Sequence, residues 1–332
     1  MGVIEPVPAG HDDDDMLAGV QRVLQARGDN IADQHVVSKV LLKRFAARSG
    51  KHRGLIVPFN LDHPQGNLVP RGPDGCGKIK NFVPVASASL EQVWKPTEDA
   101  LHEALQSLDE SRLFEEPAHV ATIRDAIALH YIRSTSVQEM HNSAVANFTS
   151  ANRAWWLNEG RAILDRAYYQ MHKLHPGGDQ GRAAFVDRLM EPYSTAAENG
   201  ALFRARAEVL FAQARMLLSR FGGVEILQPE EGEFLIGDVP ALTVRHDQLT
   251  VGVKSGIALG DANSVILPLG PHHLAALGTA DQIGTVPKRT VDRLNTMQVQ
   301  GAHKYVYFRP GSQLEETVHA ALAMRVLQAI VT

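Results

Sequence analysis

Histidine followed closely by lysines can act on or bind a phosphate, and this chain offers that grouping at His35, Lys39 and Lys43. Further along, Glu91, Glu98 and His102 recur at offsets of seven and four, so on a helix they line one face. A carboxylate and an imidazole so placed can share a metal ion or a proton, or form an ordinary surface hydrogen bond. Arg133, accompanied by His130, Ser134 and His141, lies in an apolar-periodic run of Ile123, Ile127, Ile132 and Val137. An arginine there requires a carboxylate or phosphate partner, because an unpaired charge in a core is costly. Glu98 is the expected partner, with a bound anion as the alternative. Asp238 follows the apolar Phe234-Leu235-Ile236 and precedes Val239-Pro240; an acid at a strand end beside a turn suits catalysis or metal binding, and it is equally ordinary turn chemistry.

The element that must position the histidine is the stretch Gln34-His35-Val36-Val37-Ser38-Lys39-Val40-Leu41-Leu42-Lys43-Arg44-Phe45. On a helical wheel Val37, Val40, Leu41 and Phe45 share one side, Leu42 lies at its edge, and Lys39 and Lys43 stand opposite. Asp33 can cap such a helix, so the spacing predicts a start between residues 33 and 36 with His35 in the first turn, where free N–H groups favour an anion. A histidine that merely bonds a neighbouring carbonyl is the competing reading. From residue 35 to residue 80 nine basic side chains face only Asp62 and Asp74, in a chain of formal net charge −4. That asymmetry suits an anionic partner, nucleic acid included, or a solvated basic face balanced by acidic helices elsewhere.

With 332 residues, 44% hydrophobic and 21% charged, the chain can bury a large core as one domain or two. Its first residues have no basic start followed by an apolar run, and no stretch approaches the roughly 18 apolar residues of a membrane span, so a soluble cytoplasmic protein with no membrane partner is expected. Cys76 is the sole cysteine, which excludes an internal disulfide and a multi-thiolate zinc site. His11 and the aspartates 12–15 could chelate a hard cation, but adjacent carboxylates ahead of an apolar-periodic run more simply start a helix.

Residues 55–60 have strand composition, and the Pro- and Gly-rich passage 62–77 reads as a loop. Gly72, Gly77 and Lys78 imitate a phosphate loop, yet Ile79 stands where Ser or Thr is needed and 79–85 reads as extended, so nucleoside triphosphate hydrolysis is rejected. From 86 to 222 the pattern is helical. Leu90, Trp94, Thr97, Leu101, Leu105 and Leu108 stripe the first helix, and one long helix is expected over 118–147. Further helices are expected over 150–173, 182–190 and 196–221, with Trp155, Trp156, Tyr168 and Tyr169 as packing residues. After Gly222-Gly223 come short extended runs at 224–227, 233–236, 242–244, 249–253, 265–269 and 274–277, then a helix over 287–301 carrying Asn295, a strand at 305–308 and a closing helix over 314–331. The expected class is α+β, a helical middle packed on a mainly antiparallel C-terminal sheet. The expected divisions are a flexible tail 1–15, a basic and helical region 16–222, and a β region 223–332 with its last helix, with one compact domain as the alternative.

Several separated pieces then match one pattern. Gln34-His35 with Leu42, Lys43 and Phe45, Glu91 and Glu98, His130 to Ser134, Gly237-Asp238-Val239-Pro240, Pro268-Leu269-Gly270-Pro271 and Asn295 resemble, in that order, the bacterial domain of unknown function 4238 family. The likeness covers about residues 30–310, with Ser38 where the family usually has proline, Val36 where it has an aromatic, and Gly237 and Gly270 where it often has serine. It implies a shared architecture and a shared polar set of His35, Glu98, Arg133, Asp238 and Asn295, without naming a reaction. The resulting expectation is a hydrolase or nuclease acting on a phosphate-bearing substrate. His35 is base or metal ligand, Asp238 and Glu98 hold a divalent ion, and Arg133, Lys39, Lys43 and Asn295 bind the substrate. A non-catalytic nucleic-acid or partner-binding protein using the same basic segment is the alternative.

Overall fold

The computed structural model describes residues 12–25, 30–245 and 251–331, so His11 and residues 249 and 250 of the expected strand lie outside the described residues. In chain order the helices are α1 Asp12–Gln25, α2 Lys39–Arg44, α3 Ser87–Asp109, α4 Pro117–Ile132, α5 Thr135–Leu157, α6 Arg161–His172, α7 Gly178–Glu198, α8 Ala201–Leu218, α9 Lys288–Gly301 and α10 Leu314–Val331. The strands are β1 Asp33–His35, β2 Val57–Asn60, β3 Lys78–Lys80, β4 Gly223–Pro229, β5 Ile236–Gly237, β6 Leu242–Val244, β7 Ser264–Gly270, β8 His273–Gly278, β9 Gln282–Val286 and β10 Tyr305–Phe308. The class is α+β with a mainly antiparallel sheet towards the C-terminus.

The chain divides into two compact units. The first draws on residues 1–31, 83–90 and 139–208, and its described residues form helices and connecting loops without a strand. Within it Val20 meets Ala196, Ala201 and Leu202, and Leu164 meets Phe185 and Val186. Trp156 and Tyr168 are partly buried and pack against the second of these clusters, whereas Trp155 and Tyr169 are exposed, so only half of the expected aromatic packing set joins a core cluster.

The second unit, residues 32–82, 91–138 and 209–332, holds every strand found among the described residues. Its larger sheet runs β6-β7-β8-β4-β9, antiparallel except for the parallel pair β4 and β9, and its smaller sheet runs β2-β10-β5. Strand β9 escaped the sequence reading because it is a short edge strand whose residues stay largely exposed, leaving little apolar signal. The expected run at 249–253 reduces, in its described part, to one bridge from Val251 to Val244. Helix α9 is buried on two faces. Val291, Leu294 and Met297 pack with Leu242, Ile266 and Leu274 of the larger sheet, while Val299 packs with Phe59 and Val306 of the smaller one. Within this unit α4, from the helical middle of the chain, packs against β4 and β7.

Two departures from the expected helices bear on the site. The segment after Asp33 is not helical until Lys39: residues 33–35 pair with 80–78 as an antiparallel ribbon, and the Gly77 carbonyl accepts the N–H groups of Val36 and Val37 at 2.8 and 3.3 Å. Gly77 has φ +64°, and a Cβ there would sit 2.8 Å from Leu42 Cδ1, so the glycine that imitates a phosphate loop is a packing requirement of this turn. A helix as short as α2 would not persist alone. It holds because Leu41, Leu42 and Phe45 are fully buried, each contributing about 1.5–3 kcal/mol.

The single helix expected over 118–147 is broken at Arg133. There ψ turns to 37°, Ser134 Oγ donates to Tyr131 O at 2.8 Å, and the same oxygen accepts the Val137 N–H at 3.3 Å to cap α5. Every residue from 126 to 137 is buried, so the break carries Arg133 into the interior.

Candidate functional site

Glu91, Trp94 and Glu98 share one face of α3 because they stand three and four residues apart. Arg133 faces them from the α4–α5 break, with none of its side chain exposed. Its Nη2 donates to Glu98 Oε1 at 2.6 Å and to Ser38 Oγ at 2.9 Å, and Ser38 Oγ in turn donates to Glu98 Oε1 at 2.5 Å. Arg133 Nη1 stands 3.9 Å from Glu91 Oε2, and its guanidinium carbon lies 5.2 Å from the Trp94 ring centroid. His130 closes the group from α4. Its Nδ1 contacts Ala126 O at 2.7 Å and its Nε2 contacts the Ser38 N–H at 3.1 Å, so Nδ1 carries the proton, Nε2 accepts, and the ring is neutral. Arg133 is thus paired with Glu98, as its place in an apolar run required.

The network is incomplete. His35 Nε2, Glu91 Oε1, Trp94 Nε1, Arg133 Nε and Arg133 Nη1 are each buried with no hydrogen-bond partner among the described residues. Buried polar atoms without partners are rare in folded proteins, and five around one guanidinium mark a place built to meet something polar. Glu91, Glu98 and His35 remain partly accessible, so the group opens to solvent.

Electrostatics sort these groups. Burial lowers the His35 pKa to about 4, helped by the positive charges of Lys78, Arg133 and Lys39 and opposed by Glu98. His35 is therefore neutral at pH 7. For Glu98, burial works upward, but the Arg133 charge and hydrogen bonds from Arg133 and Ser38 prevail and bring the carboxyl down to about 2. Glu91 goes the other way: burial raises its pKa against the pull of Arg133, and Glu98 adds to the rise. Two carboxyls on one helix face are thus shifted in opposite directions, Glu98 down and Glu91 up.

His35, Glu98, Arg133 and Lys39 come together here, although His35 reaches the site from a strand and not from a helix terminus. Lys39 also pairs with Asp74 at 2.5 Å. Lys43 points elsewhere, to a 420 Å³ hollow shared with Arg44, Arg48, His102 and Asp109. Asp238 has its own partners. Its Oδ1 accepts the His303 N–H at 2.7 Å, and its Oδ2 accepts those of Lys304 and Tyr305 at 2.8 and 2.9 Å. Burial raises the Asp238 pKa against the pull of these three donors. Asn295 is spent as well: Oδ1 accepts the Leu235 N–H at 2.9 Å and Nδ2 donates to Glu233 O at 2.8 Å. Gln298, one turn on, accepts from Gly237 N and donates to Pro240 O. These residues hold the segment 233–240 against α9.

The residues do not fit a divalent ion held between Asp238 and Glu98. Both oxygens of Asp238 are committed to backbone donors, and Glu98 Oε1 lies against a guanidinium that would repel a cation. Among the described residues no three His, Cys, Asp or Glu side chains are grouped to hold a metal ion.

Sequence reasoning missed three members of the site. Ser38 was legible as a polar residue just ahead of an apolar run, and Trp94 as the residue between Glu91 and Glu98 on their shared face. Lys78 had no local signal, because only the pairing of β3 with β1 sets it opposite His35.

Among known proteins, the family model described as protein of unknown function (DUF4238) matches residues 33–312. No curated protein and no solved structure matches the chain. Among the described residues no helix is long and apolar enough to cross a membrane.

Proposed function

The chain belongs to the DUF4238 family, and we propose that its work is the hydrolysis of a phosphodiester at the polar cluster around Arg133. The observation that carries this reading is the set of unmet buried donors on one guanidinium and one indole, beside a neutral histidine and two lysines. Arg133 Nε and Nη1 and Trp94 Nε1 are free to donate to the non-bridging oxygens, while Glu98 and Ser38 fix the guanidinium in place. Lys39 and Lys78 add positive charge.

His35 Nε2 is the base. It takes a proton from a water whose oxygen bonds to phosphorus, and the ester P–O bond breaks. The leaving oxygen takes its proton from Glu91, whose pKa is raised by burial. The products are a phosphomonoester and an alcohol, and the resulting imidazolium and carboxylate re-equilibrate with solvent. A base with a pKa near 4 is weak, but a phosphate anion beside it raises that value towards neutrality.

Turnover of methyl p-nitrophenyl phosphate, followed by release of nitrophenolate, tests the proposal. His35→Ala is expected to lose about a hundredfold or more in kcat. Glu91→Gln should spare this ester, whose leaving group needs no proton, and should slow one with an alkoxide leaving group. Wild-type rates in His35→Ala would overturn the reading.

The second reading is a non-catalytic nucleic-acid or partner-binding protein. It is favoured by a 450 Å³ hollow in which Arg44, Arg48, Lys51 and Arg309 face Glu233 as the one acidic side chain in the lining. Binding that weakens steeply with salt, with no turnover of any diester, would select it.

A further inference from the structure

On the smaller sheet, Tyr305 and Tyr307 point to the same face of β10, with ring centroids 6.2 Å apart and planes inclined by 21°. They form one wall of a 390 Å³ pocket within the size range of small-ligand sites. Arg71 and Lys78 stand in its lining with Asn60, Asn67 and His63, and no Asp or Glu lines it. Lys304 Nζ lies 5.8 Å from the Tyr305 centroid and is paired with Asp62 Oδ2 at 3.9 Å. Tyr307 is buried and its hydroxyl accepts the Gly77 N–H at 3.0 Å, so the wall is rigidly held, while Tyr305 is only half-buried and presents its ring.

An aromatic face, side-chain amides and cations without carboxylates are the parts that recognise a nucleotide: the ring takes the base, the amides its edge, and the cations its phosphate. Lys78 belongs to this pocket and is also the register partner of His35 across the β1–β3 ribbon. Its charge is felt at His35. A phosphate held by Lys78 therefore lies one ribbon width from the proposed base.

We infer that this pocket seats one base of a single-stranded nucleic acid, with the backbone running past Lys78 towards the polar cluster around Arg133. This rests on the phosphodiester reading and names its substrate class. A duplex keeps its bases stacked on each other and cannot offer one to Tyr305, so the site selects single strands.

Fluorescence anisotropy with a labelled twelve-nucleotide single strand, and with the same sequence as a duplex, tests the inference. The wild-type chain is expected to bind the single strand at least tenfold more tightly. Tyr305→Leu, which keeps apolar bulk without a π face, should weaken single-strand binding about fivefold to tenfold with little change in the salt slope. Arg71→Gln, on an exposed loop residue, should reduce the slope of log affinity against log salt by about one. Equal affinity for the two forms, or both variants binding as wild type does, overturns the inference. Turnover of methyl p-nitrophenyl phosphate, which carries no base, reads the proposed hydrolysis separately, so each claim can fail without the other.

Discussion

Asp238 and Arg133 are both charged, both buried, and both in the same compact unit, yet their surroundings differ in one respect. The two oxygens of Asp238 accept three backbone N–H groups, and the neighbouring Asn295 and Gln298 each place donor and acceptor on backbone groups of 233–240. Arg133 uses Nη2 twice and leaves Nε and Nη1 unmet, with unmet atoms on Trp94, His35 and Glu91 around it. A saturated network has nothing left to offer a ligand without loosening the fold, whereas an unsaturated one retains hydrogen-bonding capacity at a cost in stability. The difference separates framework from proposed site among residues that look alike in the sequence.

The largest expected effect is on the saturated side. Asp238→Ala orphans three N–H groups at about 1–3 kcal/mol each, so urea unfolding should show a loss of about 4 kcal/mol or more; Asn295→Ala, which frees one donor and one acceptor, should lose about 2 kcal/mol. Neither change should alter phosphate binding by the folded protein. A loss below about 1 kcal/mol in Asp238→Ala would erase the contrast, since the carboxylate would then not be holding the fold.

Next comes the ion pair. Arg133→Met alone strands the Glu98 charge and should cost about 3–5 kcal/mol, while Arg133→Met with Glu98→Gln should recover most of that loss. Isothermal titration with inorganic phosphate should find binding abolished in both. A double variant as unstable as the single one would mean that Arg133 is as firmly built into the framework as Asp238.

The smallest effect is a pH dependence. His35 has a folded-state pKa of about 4 against 6.5 for the free side chain, so between these values the unfolded chain binds more protons. Stability from this group therefore rises with pH across that window and is lost as pH falls through it, and His35→Gln should flatten the slope. Glu98, at about 2 against 4.5, contributes stability that is present above pH 4.5 and lost below it. NMR titration of the His35 ring should find its midpoint near 4, moving upward when phosphate is added. A midpoint indifferent to phosphate would separate the histidine from the anion.

Much of the fold was readable from local pattern. The strand β10, the helices α3, α9 and α10 and the antiparallel character of the C-terminal region follow from periodicities carried by neighbouring residues. Within the site, the need of Arg133 for a partner and its pairing with Glu98 were readable because an arginine among Ile123, Ile127 and Ile132 has few stable alternatives. His35 was misassigned to a helix because Val37, Val40, Leu41 and Phe45 suit a helix face, while the strand depends on a ribbon partner more than forty residues away. Lys43 was grouped with Lys39 by its offset of four, and the two side chains still line different places.

The amino-acid sequence by itself determined which segments are amphipathic and where polar groups interrupt apolar runs, because side-chain type and spacing are local quantities. Whether each of those polar groups is satisfied was decided only by tertiary structure. Asp238 meets N–H groups of residues 303–305, Asn295 meets the backbone at 233 and 235, and Arg133 meets a serine at 38 and a glutamate at 98. A hydrogen bond is made or lost over a few tenths of an ångström and a few tens of degrees, and no spacing along the chain fixes such distances between residues so far apart.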